Sequence, residues 1–174
     1  MKIYVIRHGE TEKGKNKIIA DIDEDINETG IKQCKLIANK IKDLDINLII
    51  CSPMKRTKHT CEIINVNNLK VIYDDLLLER NMGKYDNYKF EDLDWNLFWN
   101  YYDTKYCELE SMKSVYDRVN KFLNKIKNEY KDKKILLVTH GGTFRAIEWN
   151  INGIPKNGNV LKDIDNCEIR EYEL

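Results

Sequence analysis

The sequence predicts an α/β fold, a three-layer α/β/α sandwich whose mostly parallel central sheet has one antiparallel edge strand. Three observations support this prediction. Short apolar stretches rich in β-branched residues are typical of buried strands. Segments with helical apolar spacing separate them, as in parallel sheets, and a weaker strand pattern closes the chain. The predicted strands cover residues 2–6, 47–51, 70–73 and 134–138, with weaker ones at 159–164 and 168–172.

The helices between these strands are predicted from apolar periodicity and from capping residues. Asn27 is a candidate N-cap for a first helix. Ser52 is predicted to cap a second helix, with Arg56 in its first turn. Ser111 is predicted to cap a long third helix, and a last helix is predicted over residues 143–151.

Length and composition predict a single domain, residues 1–174. Lys+Arg and Asp+Glu number 29 each, so no basic excess indicates a nucleic-acid partner. No apolar run reaches membrane-spanning length, and the chain starts directly with a strand, so we expect a cytoplasmic protein without a membrane partner. The five cysteines are widely spaced and are expected to be free thiols. The histidines and cysteines form no close ligand cluster, so we expect neither a metal ion nor a cofactor.

Polar side chains follow three of the predicted strands at the point where each strand ends. Arg7 and His8 follow the first strand, Arg56 follows the second, and His140 and Gly141 follow the strand at 134–138. Because the carboxyl ends of parallel strands meet at one edge of a sheet, we expect these residues to gather there. Two guanidinium groups and two imidazoles suit a dianionic phosphoryl group.

Gly9 stands directly after His8 in this stretch. Without a side chain it would let a backbone N–H approach a ligand. Its carbonyl oxygen is also a candidate partner for the second ring nitrogen of His8, which would fix the tautomer of that ring.

These segments resemble the histidine phosphatase superfamily, the phosphoglycerate mutase-like proteins. The likeness rests on five motifs, which are Arg7-His8-Gly9-Glu10-Thr11, Asp25-Ile26-Asn27-Glu28-Thr29-Gly30-x-x-Gln33, Ser52-Pro53-Met54-Lys55-Arg56-Thr57-x-x-Thr60, Leu77-x-Glu79-x-x-x-Gly83 and Thr139-His140-Gly141-Gly142. The resemblance implies metal-independent phosphoryl transfer through a phosphohistidine.

The resemblance also implies a role for each matched residue. His8 would be the nucleophile, while Arg7, Arg56 and His140 would hold the phosphoryl oxygens. Glu79 would protonate the leaving alkoxide and then activate the hydrolytic water.

Two further substrate-binding groups are candidates at this site, the backbone N–H of Gly141 and the side chain of Asn16. The loop after the first motif departs from the family. Gly14 and Ile19 stand where the family places phosphate-contacting Asn and Gln side chains, and Asn16 is a candidate substitute for the first of these.

Residues 84–109 form an insertion in which aromatic side chains alternate with acidic ones. We expect a helical insertion whose aromatic residues pack on the domain. The alternative is a lid that shapes the pocket for the leaving group.

The sequence leaves the reaction and the substrate open. We expect a phosphomonoesterase, with α-ribazole phosphate, sugar phosphates and phosphoserine all as candidate substrates. A phosphoglycerate mutase would share the same site, but the short insertion and the His-Gly-Gly ending favour a phosphatase. A phosphohistidine-protein phosphatase is disfavoured because Glu79 is present. A catalytically idle phospho-ligand binding module is supported only by the altered loop. The sequence makes no prediction of oligomeric state.

Overall fold

A five-stranded sheet forms the centre of the part of the chain that the computed structural model describes, which is residues 1–102, 108–158 and 163–174. The strands are β1 (Lys2–Arg7), β2 (Leu48–Cys51), β3 (Val71–Tyr73), β4 (Lys134–Thr139) and β5 (Ile169–Glu173). Their spatial order is β3-β2-β4-β1-β5. The pairs β1–β4, β2–β4 and β2–β3 are parallel, and β5 is antiparallel to β1 at the edge. The predicted fold class is confirmed.

Helices cover both faces of this sheet. They are α1 (Glu12–Lys15), α2 (Glu28–Lys42), α3 (Lys55–Ile64), α4 (Trp95–Phe98), α5 (Met112–Glu129) and α6 (Gly141–Asn152). Because successive strand residues point to opposite faces, Ile3 and Val5 pack with α5 and α6, whereas Tyr4 and Ile6 pack with α2 and α3. The central strands are therefore apolar on both sides. None of the helices in the described ranges combines the length and the apolar character needed to cross a bilayer.

Two of the three predicted helix caps are confirmed. The Asn27 side chain accepts a hydrogen bond from the backbone N–H of Gly30, and the Ser111 hydroxyl accepts one from Ser114. The prediction that Ser52 caps α3 was wrong, because α3 begins at Lys55. The Ser52 backbone N–H instead donates to the carbonyl oxygen of Val138, which continues the pairing with β4 beyond the end of β2.

In the described residues of the aromatic insertion, the backbone forms short helical turns. Single 3₁₀ turns span Gly83–Tyr85 and Phe90–Asp92, and the four residues of α4 follow. The aromatic side chains form a small core of their own together with Ile19 and Met82.

Three backbone hydrogen bonds join this insertion to the loop after α1. The N–H of Ile19 donates to Tyr88, the N–H of Asn87 donates to Ile19, and the N–H of Phe90 donates to Lys17. We call this pairing of residues 17–19 with residues 87–90 the clasp. It makes the loop and the insertion one structural unit.

Two sequence predictions reach beyond the described residues. Residues 103–107 of the insertion lie outside them, and so do residues 159–162 of the weak strand predicted at 159–164. The remaining residues of that segment, 163 and 164, are not part of a strand.

Candidate active site

The topology brings the predicted polar residues to one edge of the sheet. Arg7 ends β1 and His8 follows it, Arg56 lies in the first turn of α3 after β2, and His140 follows β4 directly. The ring centroids of His8 and His140 are 5.3 Å apart. A single cleft is lined by Arg7, His8, Arg56, Glu79 and Gly141.

The two nitrogens of the His8 ring have different surroundings. Its Nδ1 lies 2.8 Å from the carbonyl oxygen of Gly9. Because a carbonyl oxygen can only accept, Nδ1 carries the proton and Nε2 carries the lone pair. Burial lowers the pKa of His8 well below its ordinary value, and the charges of Arg56 and Arg7 lower it further. The ring is therefore a neutral imidazole with a free lone pair, the state that a nucleophile requires.

Gly9 has a different role from the one expected of its N–H group. That N–H donates to the Thr60 hydroxyl at 3.0 Å, so it is already paired within the protein. A Cβ at this position would lie 2.9 Å from the carbonyl oxygen of Gly30 in α2. Gly9 therefore allows the loop to approach α2. Thr60 in turn donates to the carbonyl oxygen of Arg56, which links the His8 loop to α3.

Each of the two arginines donates one hydrogen bond to a backbone oxygen and has further N–H donors that could bind a ligand. Arg7 donates through Nη1 to the carbonyl oxygen of Ile164, and Arg56 donates through Nη1 to that of Asp21, both at 2.9 Å. Burial lowers the pKa of Arg56, although a guanidinium stays charged in proteins. In both side chains Nε is buried and has no hydrogen-bond partner among the described residues.

His140 is fully buried and contacts the serine that was predicted to be a cap. Its Nε2 lies 2.8 Å from Oγ of Ser52. Burial lowers the pKa of His140 well below its ordinary value, and Arg56, His8 and Arg7 add to the effect. Its Nδ1 is buried without a partner in the described part of the chain. The Ser52 hydroxyl is thus in a position to decide which ring nitrogen carries the proton.

The side chain of Glu79 contacts the N-terminus of α6. One carboxylate oxygen accepts hydrogen bonds from the backbone N–H groups of Arg80 at 2.8 Å and Thr143 at 3.2 Å, and the other accepts from Gly142 at 3.2 Å. The Thr143 hydroxyl donates to the carbonyl oxygen of Leu78, which holds the adjoining chain. Exposed N–H groups at a helix N-terminus favour a negative charge. The carboxylate, which lines the cleft, is therefore oriented by three backbone N–H groups.

Gly142 could not be replaced by a larger residue without disturbing this arrangement. A Cβ there would lie 2.6 Å from a carboxylate oxygen of Glu79 and 2.9 Å from the ring of Trp99. The sequence motif contained this glycine, but the motif does not show why a glycine is needed there. The need comes from its contact with Glu79, 63 positions away in the chain.

The structure does not bring Asn16 to the cleft. Its side-chain amide donates to the backbone oxygen of Glu12 at 2.8 Å and to a carboxylate oxygen of the same residue at 3.1 Å, on the exposed side of α1. Gly14 and Ile19 do line the cleft. Where the family pattern has amide side chains, this cleft has Gly14, which has no side chain, and the apolar side chain of Ile19.

Aromatic side chains of the insertion form a further wall of the same cleft. These residues are Phe90, Trp95, Phe98 and Trp99. The insertion therefore contributes directly to the site. Asp163, which no sequence motif indicated, also lines the cleft.

Fold and site together define the class of protein. The sequence profile of the Histidine phosphatase superfamily (branch 1) matches residues 3–174. The chain belongs to this family, and the resemblance noted from its motifs is confirmed.

Individual relatives narrow the class to phosphatases and mutases. The uncharacterized phosphatase PhoE of Bacillus subtilis (strain 168) is 31% identical over 153 residues, which are 87% of this chain and 77% of PhoE. The probable phosphoglycerate mutase GpmB of Escherichia coli is 31% identical over 182 residues, covering 99% of this chain and 85% of GpmB. The α-ribazole phosphatase of Shigella flexneri shares the fold, with a TM-score of 0.84 at 21% identity, over 100% of this chain and 91% of that one. The chain is thus a histidine phosphatase superfamily enzyme, a phosphatase or a mutase.

Proposed function

We propose that this protein is a metal-independent phosphomonoesterase that hydrolyses a small phosphorylated metabolite through a phosphohistidine at His8. One observation carries the proposal. Three buried nitrogens, Nε of Arg7, Nε of Arg56 and Nδ1 of His140, have no protein partner in the described ranges and belong to groups around the His8 ring. Buried polar groups are normally paired, so this set indicates a ligand that accepts hydrogen bonds.

In the first step, Nε2 of His8 attacks phosphorus in line with the leaving oxygen. An N–P bond forms, the P–O bond to the leaving group breaks, and Glu79 gives its proton to the departing oxygen. The charges of Arg7 and Arg56 and an N–H of His140 stabilise the three equatorial oxygens, which carry the charge in the transition state.

In the second step, Glu79 takes a proton from water, and that water attacks the phosphorus of the phosphohistidine. The N–P bond breaks, inorganic phosphate leaves and the neutral His8 ring returns. Glu79 is then protonated again for the next substrate, so one carboxyl group serves as acid and then as base. The two guanidinium groups supply the positive charge at the phosphoryl oxygens.

The proposal is tested by His8→Asn, with His59→Asn as the matched control. His59 lies on α3 and contacts Asp25 through Nδ1 at 2.9 Å, away from the cleft lining. We expect the first variant to lose kcat for p-nitrophenyl phosphate by roughly 10⁴-fold or more. We also expect only wild type and the control to yield an acid-labile phosphoprotein on rapid quenching. A labelled His8→Asn protein, or one with appreciable turnover, would exclude His8 as the nucleophile.

A phosphoglycerate mutase is the second candidate, because GpmB is among the relatives at 31% identity. Both reactions pass through the same phosphohistidine and differ in its fate. With 3-phosphoglycerate as substrate, release of inorganic phosphate identifies a phosphatase and formation of 2-phosphoglycerate identifies a mutase. Binding of phosphate without turnover of either 3-phosphoglycerate or p-nitrophenyl phosphate would instead identify a binding module.

A further inference from the structure

We propose that the cleft selects phosphomonoesters whose leaving group is an uncharged apolar or aromatic alcohol, and that it discriminates against leaving groups bearing a carboxylate or a second phosphate. This inference rests on the proposed function, because it names the substrate class of that same site.

The cleft lining is mostly apolar apart from the residues that surround His8. Its apolar members include Ile18, Ile19, Met82, Phe90, Trp95 and Trp99. The indole rings of Trp95 and Trp99 are stacked, with centroids 6.2 Å apart and planes 25° from parallel. Flat aromatic surfaces of this kind gain most from contact with another apolar surface, which releases water from both.

This wall is held in place before any substrate arrives. The indole N–H of Trp95 donates to the carbonyl oxygen of Phe90 at 2.9 Å, so the polar atom of the ring is already used. The clasp fixes Ile19 against the insertion through two backbone hydrogen bonds. A preformed wall loses little conformational freedom on binding.

Two further arginines, Arg80 and Arg145, lie near the wall but do not line this cleft. Arg80 donates to the carbonyl oxygens of Glu110 and Phe98, and its guanidinium lies over the Phe98 ring. Arg145 is only 6% exposed, and its guanidinium lies 4.8 Å from the centroid of the Trp99 ring. Neither side chain is presented to a leaving group.

The charge that the cleft offers beyond the phosphoryl-binding groups is negative. The carboxylate of Asp163 lines the cleft with 56% of its side chain exposed, and it pairs with Nη2 of Arg145 at 2.8 Å. A leaving group with its own negative charge would face this carboxylate, and like charges brought together oppose binding. A neutral alcohol meets no such opposition, and a hydroxyl or N–H on it could donate to Asp163.

Three esters of primary alcohols test the proposal, because their leaving groups have similar intrinsic reactivity. They are ethyl phosphate, 2-phenylethyl phosphate and 3-(phosphonooxy)propanoate. We expect kcat/KM for the phenylethyl ester to exceed that for the ethyl ester by about 30-fold, from burial of the ring. We expect kcat/KM for the carboxylate ester to fall below that for the ethyl ester by about tenfold, from charge repulsion.

The variant Trp95→Ala should lower the phenylethyl-to-ethyl ratio by about tenfold, because it removes one aromatic surface. The matched control is Tyr73→Ala on β3, whose ring is exposed and does not line the cleft, and it should keep the wild-type ratio. A carboxylate ester that is hydrolysed faster than the ethyl ester would overturn the proposal, as would an unchanged phenylethyl-to-ethyl ratio in a folded Trp95→Ala protein. If that variant does not fold, the order of the three esters in wild type decides.

Failure of the proposed function would look different. In that case wild type would hydrolyse none of the three esters and no p-nitrophenyl phosphate. The leaving-group preference is then measured by calorimetric binding of the same esters to wild type. Tighter binding of 2-phenylethyl phosphate than of 3-(phosphonooxy)propanoate would support the proposed preference, and the reverse order would overturn it.

Discussion

Removal of the Ser52 hydroxyl tests whether His140 acts in one fixed tautomer. Oγ of Ser52 and Nε2 of His140 are 2.8 Å apart, and both residues are completely buried. Phosphoryl oxygens only accept hydrogen bonds, so a neutral His140 can assist them only if its Nδ1 carries the proton. Nε2 must then accept a hydrogen bond, and Ser52 is the donor in contact with it. Ser52 is thus a positioning residue that acts through His140.

The size of the effect follows from this geometry. In Ser52→Ala the ring nitrogen stays buried without its partner, which lowers the free energy of unfolding by about 1–3 kcal/mol. The ring is also free to place its proton on Nε2, where it cannot reach the phosphoryl group. Loss of one preorganised donor of this type lowers kcat by on the order of 10²-fold.

The assay is kcat and KM for p-nitrophenyl phosphate together with urea denaturation. Ser111→Ala is the matched control, because it removes the same hydroxyl from a helix cap, where that hydroxyl accepts a hydrogen bond from the Ser114 backbone N–H. It should lower stability by about 1 kcal/mol and leave kcat near wild type. If Ser52→Ala lost stability to the same degree but kept the kcat of the control, the fixed tautomer would play no part in the reaction.

Three further predictions concern the acid, the imidazoles and the glycine beside them. Glu79→Gln should lower kcat/KM for alkyl phosphates by about 10²–10⁴-fold and for p-nitrophenyl phosphate far less, since nitrophenolate leaves without a proton; equal losses would contradict this role. Because burial keeps His8 and His140 neutral in the folded state, the unfolded chain takes up more protons below pH 6.5. The free energy of unfolding, measured in urea, should therefore fall there by about 1.4 kcal/mol per pH unit for each histidine, and a double His→Asn variant should lack this slope. Gly142→Ala should push the Glu79 carboxylate aside and lower kcat by about 10²-fold, whereas wild-type kcat would show that the helix yields instead.

Elements with a strong local signal were predictable from the sequence. The strands β1 and β4 are buried on both faces, so almost every residue in them is apolar. Such an unbroken apolar run indicates a buried strand without any knowledge of distant residues. Asn27 and Ser111 cap their helices through the backbone three residues ahead, a contact that depends on nearby chain alone. Ser52 stands in the same kind of position, but a long-range partner, His140, takes its hydroxyl.

The parts of the site that were not predictable depend on residues distant in sequence. Gly9 is required by the approach of Gly30, and its N–H is taken by Thr60, 51 positions away. Asn16 had a local alternative that the family pattern did not show, since Glu12 stands one helical turn before it and accepts its amide. Which hydrogen-bond partner a side chain or backbone group takes depends on which group is nearer in space. The spacing of apolar residues in the sequence carries no information about that.

The clasp between residues 17–19 and 87–90 bears on any redesign of this enzyme. A graft that replaced the insertion alone would remove the backbone partners of Lys17 and Ile19, leaving polar groups of the loop to find new ones. The same loop carries Ile18 and Ile19 on the cleft wall, so an error in the graft would reach the substrate directly. The two segments therefore form one exchangeable cassette, and altered selectivity is best sought by replacing both together.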